Sequence, residues 1–187
     1  MMIWIKPSVT LHQFLKRTYF TGVIIYVLYS IFAHHTIAQT SNAHNIPAPQ
    51  TYGAWTKVCS LPPGTPNLQC EIVQNVQAQN RRDITFRVAF YKLPKNQGVL
   101  MRVSVPIRVE LRPGIGIKVD NKDIGKIEYR RCLSDTCIAE TLLTEDMLKP
   151  FFKGKEATYF IFITPEQGVG AIVDLNDFST AYAALST

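Results

Sequence analysis

Four cysteines are the residues of this 187-residue chain with the most evident chemistry. They form two close pairs, Cys59 with Cys70 and Cys132 with Cys137, and each pair encloses a turn-rich segment. An even number of cysteines in an exported chain is typical of disulfides. Of the three connectivities that four cysteines allow, we expect the one with two local bonds, Cys59–Cys70 and Cys132–Cys137. Zinc is disfavoured because the chain lacks the usual Cys-x2-Cys spacing and spare histidines, so we predict no metal and no cofactor.

The histidines and acidic residues do not form a recognisable catalytic set. After residue 38 the only histidine is His44, and it lies in a loose polar stretch, whereas serine–histidine and cysteine–histidine catalysis need a histidine on a rigid scaffold. The sequence has no glycine-rich phosphate-binding motif. The 14 acidic residues are scattered, and close groups such as Asp120 with Asp123 suit turns. We therefore expect that the protein is not an enzyme; a hydrolase with paired carboxylates is the remaining catalytic alternative.

Arginine is the other candidate for chemistry. Two Arg-Arg doublets and four single arginines fall in a part of the chain where side chains are expected to alternate between the two faces of a sheet. Such a set could bind anionic glycans or an acidic host surface. The alternative is a solvated sheet face, because Glu110, Asp120 and Glu128 interleave with the basic residues. The arginines of this candidate binding patch are Arg81, Arg82, Arg87, Arg102, Arg108, Arg112, Arg130 and Arg131.

The N-terminus predicts export. Residues 1–38 contain no Asp or Glu, begin with a basic stretch and continue into an uncharged apolar run at residues 19–33. A basic start, a short apolar core and small residues before a cleavage point are the parts of a secretory signal, and we predict cleavage after Ala38. An uncleaved membrane anchor is the alternative, although a membrane span needs about 20 apolar residues.

Removal of the signal would leave a flexible leader, residues 39–50, and a single β-domain, residues 51–187. Lys plus Arg would fall from 20 to 17 against 14 acids, so the net charge would fall from +6 to +3. A charge of this size does not predict nucleic-acid binding, and we expect membrane contact only through the N-terminal segment, if it is retained. The predicted location is the periplasm or cell envelope, with surface exposure, anchoring or secretion left open.

The chain after residue 80 has the periodicity of antiparallel sheet. Apolar and polar residues alternate in short runs that are separated by Pro, Gly and Asp-Asn turns. Helix is expected only twice, where Thr144 and Asp177 would each cap a short helix. The pattern predicts a mostly β protein, an antiparallel β-sandwich with one or two short helices. The predicted strands are residues 84–91, 99–105, 107–112, 115–119, 124–132, 157–163 and 168–175. Residues 157–163 are apolar on both faces, so we expect them to form a central strand.

An ordered set of motifs extends over about residues 50–185. In it the two cysteine pairs are joined by a Pro-Gly-x-Gly segment that ends in Val-Asp. The motifs are Gly53-Ala-Trp55, Val58-Cys59, Cys70, residues 111–120, 129–132 and 137–140, Lys153-Gly154, and residues 164–170 and 178–185. This set resembles the invasion-associated locus B family.

The resemblance implies an Ig-like β-sandwich with two local disulfides, exported to the cell envelope of Gram-negative bacteria. It also implies a virulence-associated role in host-cell invasion, notably of erythrocytes. The family has no catalytic residues to carry over, so we expect binding to a host-cell surface protein or glycan, or to another envelope protein. A periplasmic structural or stress factor that affects invasion indirectly is the alternative.

Overall fold

The computed structural model describes residues 46–94 and 97–185, which contain eleven strands and two short helices. The strands are β1 (Gln50–Tyr52), β2 (Trp55–Ser60), β3 (Gln69–Gln77), β4 (Thr85–Lys92), β5 (Val99–Pro106), β6 (Ile115–Val119), β7 (Lys122–Ile127), β8 (Tyr129–Cys132), β9 (Thr136–Leu143), β10 (Glu156–Thr164) and β11 (Gln167–Asp174). The helices are α1 (Glu145–Lys153) and α2 (Phe178–Ala183).

The strands form two antiparallel sheets. One has seven strands in the order β1-β2-β3-β4-β5-β9-β8, and the other has four in the order β11-β10-β6-β7. In β5 every second residue is buried, from Val99 to Val105, so one face of each sheet supplies the core. The expected antiparallel β-sandwich with short helices is confirmed. The predicted central position of residues 157–163 is also confirmed, because β10 lies between β11 and β6.

Both predicted disulfides are present, and both join directly opposed residues of neighbouring strands. Cys59 on β2 is paired with Cys70 on β3, and Cys132 on β8 with Cys137 on β9. Each bond therefore fixes the register of one hairpin at the position where its loop begins. The second bond lies on β8, an edge strand of the larger sheet.

The predicted strand at residues 107–112 is wrong. This segment connects β5 in one sheet to β6 in the other, so its backbone cannot continue the ladder of either strand. Arg108 has a φ of 70°, and Ile107 and Leu111 are 38% and 48% exposed, although the alternating pattern places both on the apolar face. Pro106 ends β5, and a turn in which the Gly114 N–H donates to the Leu111 carbonyl (3.1 Å) leads into β6.

The predicted strand at residues 124–132 divides into two strands that belong to different sheets. β7 ends at Ile127 in the four-stranded sheet, and β8 begins at Tyr129 in the seven-stranded sheet. Ile127 and Tyr129 both pack on the core, on either side of Glu128. The apolar alternation therefore continues where the chain passes from one sheet to the other, and the pattern does not reveal the change of sheet. The hairpin before it is as predicted: Asp120 and Asn121 have φ of 46° and 65°, and positive φ at both central residues is what a type I′ turn requires.

The two helices begin where the sequence indicates, but only one has the expected cap. The Thr144 hydroxyl oxygen accepts from the Met147 N–H at 3.3 Å, which confirms the N-cap of α1. Asp177 precedes α2 with a φ of 60°, and its side chain makes no capping hydrogen bond. That helix is held instead by burial of Phe178 and Ala181 in the core.

The two sheets are joined along one side by a buried glutamine. The Gln74 side chain on β3 donates to the Asp174 carbonyl and accepts from the Asp174 N–H, both at 2.9 Å, so it acts as a ladder partner for β11. The Trp55 indole N–H donates to the same carbonyl at 2.9 Å. A further bond runs from the Gln79 N–H to the Gly170 carbonyl at 3.0 Å. The opposite side, where β7 and β8 are edge strands, has no such ladder among the described residues.

A glycine makes room for an aromatic ring on the outer face of the smaller sheet, and we expect Gly116→Ala to lower the free energy of unfolding by about 1–3 kcal/mol. A Cβ at this position would overlap the ring of Phe160, which lies directly opposite on β10. Gly170→Ala is the matched control, because Gly170 also lies opposite Phe160 but its nearest Cβ contact would be an ordinary 3.7 Å. Urea unfolding of both variants tests the expectation, and equal losses would contradict it.

The predicted signal peptide or anchor at residues 1–38 lies outside the described residues, as does most of the predicted leader. Of the leader's described residues, 46–49 are exposed and form no strand, whereas Gln50 begins β1. In the part of the chain that the structure describes, no helix is both long and apolar enough to span a membrane.

Candidate functional site

Two of the candidate arginines form ion pairs on the outer face of the seven-stranded sheet. Arg102 lies directly opposite Glu140, donates to its carboxylate, and also donates to the Tyr91 hydroxyl at 2.8 Å. Arg87 on β4 donates to Glu71 on β3. Opposite charges on neighbouring strands stabilise a sheet, so these two arginines contribute to the fold and do not present free charge to a ligand.

Three further candidates lie in connections between strands. Arg81 forms a bidentate pair with Asp83, with N–O distances of 2.9 and 2.7 Å. Arg82 is exposed in the same β3–β4 loop, and Arg108 is exposed in the connection between β5 and β6. None of these three arginines lines the depression at which the remaining candidates meet.

The last three candidates meet at one depression of about 360 Å³. In the described residues, none of these three arginines forms a salt bridge. We call this depression the arginine cleft. Its lining residues are Leu111, Arg112, Glu128, Tyr129, Arg130, Arg131 and Cys132.

One wall of the arginine cleft is the edge strand β8. A bulge against β9 interrupts its register between Tyr129 and Arg131. A bulge adds a residue to one strand and redirects its side chains, which allows the adjacent Arg130 and Arg131 to line the same depression. The Cys132–Cys137 disulfide and a bond from the Leu133 N–H to the Thr136 carbonyl (2.7 Å) close the hairpin directly after them.

The other wall is the connection between β5 and β6, which supplies Arg112. The Ile107 N–H donates to the Asp135 carbonyl at 3.3 Å, so this connection is tied to the β8–β9 loop. The Glu110 N–H donates to the Phe162 carbonyl at 2.8 Å and ties it to the smaller sheet. At Gly114, with a φ of 72°, a Cβ would meet the Ile127 carbonyl oxygen. These contacts fix the backbone on both sides of Arg112.

Tyr129 links the cleft to the core. Its ring packs on the core cluster, and its hydroxyl oxygen is buried with no hydrogen-bond partner among the described residues. Burial raises the pKa of the Tyr129 hydroxyl above its ordinary value, so the group stays protonated at neutral pH. Tyr129 therefore carries a buried donor whose hydrogen bond is not made within the part of the domain that the structure describes.

We expect Tyr129→Phe to raise the free energy of unfolding by about 1 kcal/mol. The substitution keeps the ring that packs on the core and removes only a hydroxyl that is buried without a partner. Tyr91→Phe is the control, because the Tyr91 hydroxyl accepts from Arg102 at 2.8 Å and its loss is expected to destabilise. Chemical denaturation measures both, and a loss of stability in Tyr129→Phe would contradict the expectation.

The arginine cleft is mainly a set of hydrogen-bond donors. Each of its three guanidinium groups carries five N–H donors in a planar fork, and Glu128 is its one carboxylate, so the lining has a formal charge of +2. Guanidinium groups bind carboxylate, sulfate and phosphate oxygens. In the described residues, no three His, Cys, Asp or Glu side chains come close enough to hold a metal. The arrangement is suited to holding an anion.

The family model for the Invasion associated locus B (IalB) protein matches residues 55–186 of the chain. The chain belongs to the IalB family. The match includes both disulfides and all residues of the arginine cleft. No curated protein sequence matches the chain.

The fold of this IalB-family chain is also that of a solved relative. A crystal structure of invasion associated protein B from Bartonella henselae has a TM-score of 0.60 to the chain at 18% identity, over 74% of this chain and 95% of the other. At this identity the match supports the shared sandwich fold. Together with the family match, it is consistent with an invasion-associated role.

The uncharged part of the site was not predicted from the sequence. Arg112, Arg130 and Arg131 were candidates, whereas Tyr129 and Leu111 were not. The one indication of these two residues in the sequence is that they lie in the motif segments 111–120 and 129–132. These segments supply the two walls of the cleft. The assignment of the arginines to a binding role stays a prediction.

Proposed function

We propose that this IalB-family protein is an exported, virulence-associated protein of the cell envelope that promotes host-cell invasion, notably of erythrocytes, by binding a partner and not by catalysis. The observation that carries the proposal is the family match over residues 55–186. The predicted signal at residues 1–38 and the two disulfides support export, because disulfides persist in oxidising compartments.

Binding is favoured over turnover by the composition of the cleft. Its polar groups are three arginines, one tyrosine hydroxyl and one carboxylate, and the described residues include no histidine that could serve as a general base. Positive charge in an open depression attracts anionic partners and accelerates encounter with them. The partner in this proposal is an anionic glycan or acidic protein of the host-cell surface, or another envelope protein.

Complementation of a deletion strain tests the proposal. We expect deletion to lower erythrocyte invasion, the unaltered gene to restore it, and the triple variant R112Q/R130Q/R131Q to leave it near the deletion level. R81Q/R82Q is the control, because it removes two arginines outside the cleft and is expected to restore invasion. Full invasion by the deletion strain would refute the proposal.

The same strains distinguish an indirect role. A periplasmic structural or stress factor would make the deletion strain sensitive to detergent or osmotic shock in the absence of host cells. Protease treatment of intact cells adds the location: digestion of this protein while a periplasmic control survives would favour direct host contact.

A further inference from the structure

The three arginines of the cleft approach it from two different elements. Arg112 comes from the connection between β5 and β6, whereas Arg130 and Arg131 come from β8. A carboxylate presents two oxygens in one plane and is satisfied by one guanidinium fork. A tetrahedral oxyanion presents oxygens in three directions, so it suits forks that approach from two sides better than a carboxylate does.

The charge in the cleft restricts the oxyanion further. Glu128 lines the same depression and repels any anion that enters. A phosphate monoester carries a charge of about −1.5 to −2 at neutral pH. The lining attracts it more strongly than a singly charged group, but the cost of removing an ion from water rises with the square of its charge, so a cleft with a formal charge of +2 holds a monoanion at a lower desolvation cost. A sulfate ester has three terminal oxygens and only one negative charge, which satisfies both the geometry and the charge.

The surroundings of the cleft favour a ligand with more than one anionic group. Arg108 is exposed on the same connection as Arg112 and, among the described residues, forms no salt bridge. The cleft is a shallow surface site, and its volume is at the lower end of those that bind small molecules. A polymer could therefore place one group in the cleft and a neighbouring group beside Arg108.

We infer that the arginine cleft binds a sulfate ester group of a sulfated polysaccharide. The inference rests on the binding function proposed above and names the chemistry of the partner. An anionic lipid surface is the competing ligand, because Leu111 and Leu133 are 48% and 54% exposed near the arginines. A flat anionic surface would be brought against exposed Asp135 and Glu128 together with the arginines, whereas a single polysaccharide chain contacts only the part of the protein along which it lies.

Affinity of the full-length, oxidised protein for a labelled heparin oligosaccharide at fixed salt tests the inference. We expect R130Q/R131Q to weaken binding by about 100-fold, roughly 10-fold for each arginine. The matched control is R81Q/R82Q, which removes the same charge from the other arginine doublet and is expected to change affinity less than about 3-fold. R130K/R131K keeps the charge but loses the fork, so we expect a loss of about 10-fold.

Three results would overturn the inference: equal losses in the two doublet variants, unchanged binding by R130K/R131K, or equal binding of desulfated heparin, which retains its carboxylates. Binding of soluble dihexanoyl phosphatidylglycerol with no binding of heparin would assign the cleft to lipid instead. These measurements need no host cell. If heparin does not bind, only the sulfated ligand is excluded. The proposed binding function is still tested independently by the invasion experiment.

Discussion

Phe178→Ala is expected to lower the free energy of unfolding by about 3–5 kcal/mol, the largest effect of any single substitution considered for this protein. Phe178 is fully buried, and its ring contacts Trp55 and Phe90 edge-on at centroid distances of 5.2 and 4.9 Å. It begins α2, whose short length gives little helical stability of its own. Loss of the ring leaves a cavity and removes the largest fully buried side chain by which the C-terminal segment packs on the core.

The control for this prediction is Phe152→Ala. The Phe152 ring also contacts Phe178, at a centroid distance of 5.4 Å, but it is 39% exposed on α1. Removal of a half-exposed ring leaves no closed cavity, so we expect a loss of about 1 kcal/mol or less. Guanidinium unfolding followed by tryptophan fluorescence measures both variants, because Trp55 lies in the same aromatic cluster. Similar losses in the two variants would show that burial of Phe178 is not what holds the C-terminal segment.

Where one face of a strand is buried throughout, the sequence was enough to predict the fold. β5 alternates without interruption and was placed correctly from that alternation. β10 was placed correctly from a run that is apolar on both faces. The β6–β7 hairpin was predictable because the Asp120-Asn121 pair favours the positive φ that its turn needs.

The predictions failed where the chain passes from one sheet to the other. Residues 107–112 alternate like a strand, but the connection they form lies outside both ladders. At Glu128 the opposite happens, because the alternation continues while the chain changes sheets. Period-two patterning reports which side chains meet the core and does not report which sheet supplies the hydrogen bonds.

The candidate site depends on these same two crossings, which explains why its composition was predictable and its shape was not. Arginine could be selected by residue type, but an arginine paired across strands cannot be distinguished in the sequence from one that is free. Arg102 and Arg131 illustrate this. Arg102 lies opposite Glu140, whereas Arg131 lies beside a bulge that no local sequence motif predicts. The pairing of the cysteines, in contrast, followed from spacing because each loop is short.

Removal of either disulfide is expected to destabilise the domain, with a larger effect for the longer loop. The bonds close loops with sequence separations of 11 and 5 residues. On the loop-entropy estimate, C59A/C70A should lower the free energy of unfolding by about 3 kcal/mol and C132A/C137A by about 2 kcal/mol. Thermal and urea unfolding under oxidising conditions compare the two. A larger loss of stability in C132A/C137A than in C59A/C70A would contradict this estimate. It would mean that the Cys132–Cys137 bond stabilises its hairpin mainly through packing in the folded state and not by restricting the unfolded chain.

The two bonds are expected to differ more in binding than in stability. Cys132 lines the arginine cleft and closes the hairpin directly after Arg131, whereas Cys59–Cys70 lies on β2 and β3 and does not line the cleft. Without its disulfide, the end of edge strand β8 is less firmly held in register, so Arg130 and Arg131 are less well ordered before binding. The entropy lost when they become ordered on binding weakens the association. We therefore expect C132A/C137A to weaken heparin binding by about 10-fold at a temperature where the variant is fully folded, and C59A/C70A to bind like the unaltered protein despite its greater loss of stability. Equal binding by both variants would show that β9 and the β5–β6 connection position the arginines without help from the disulfide.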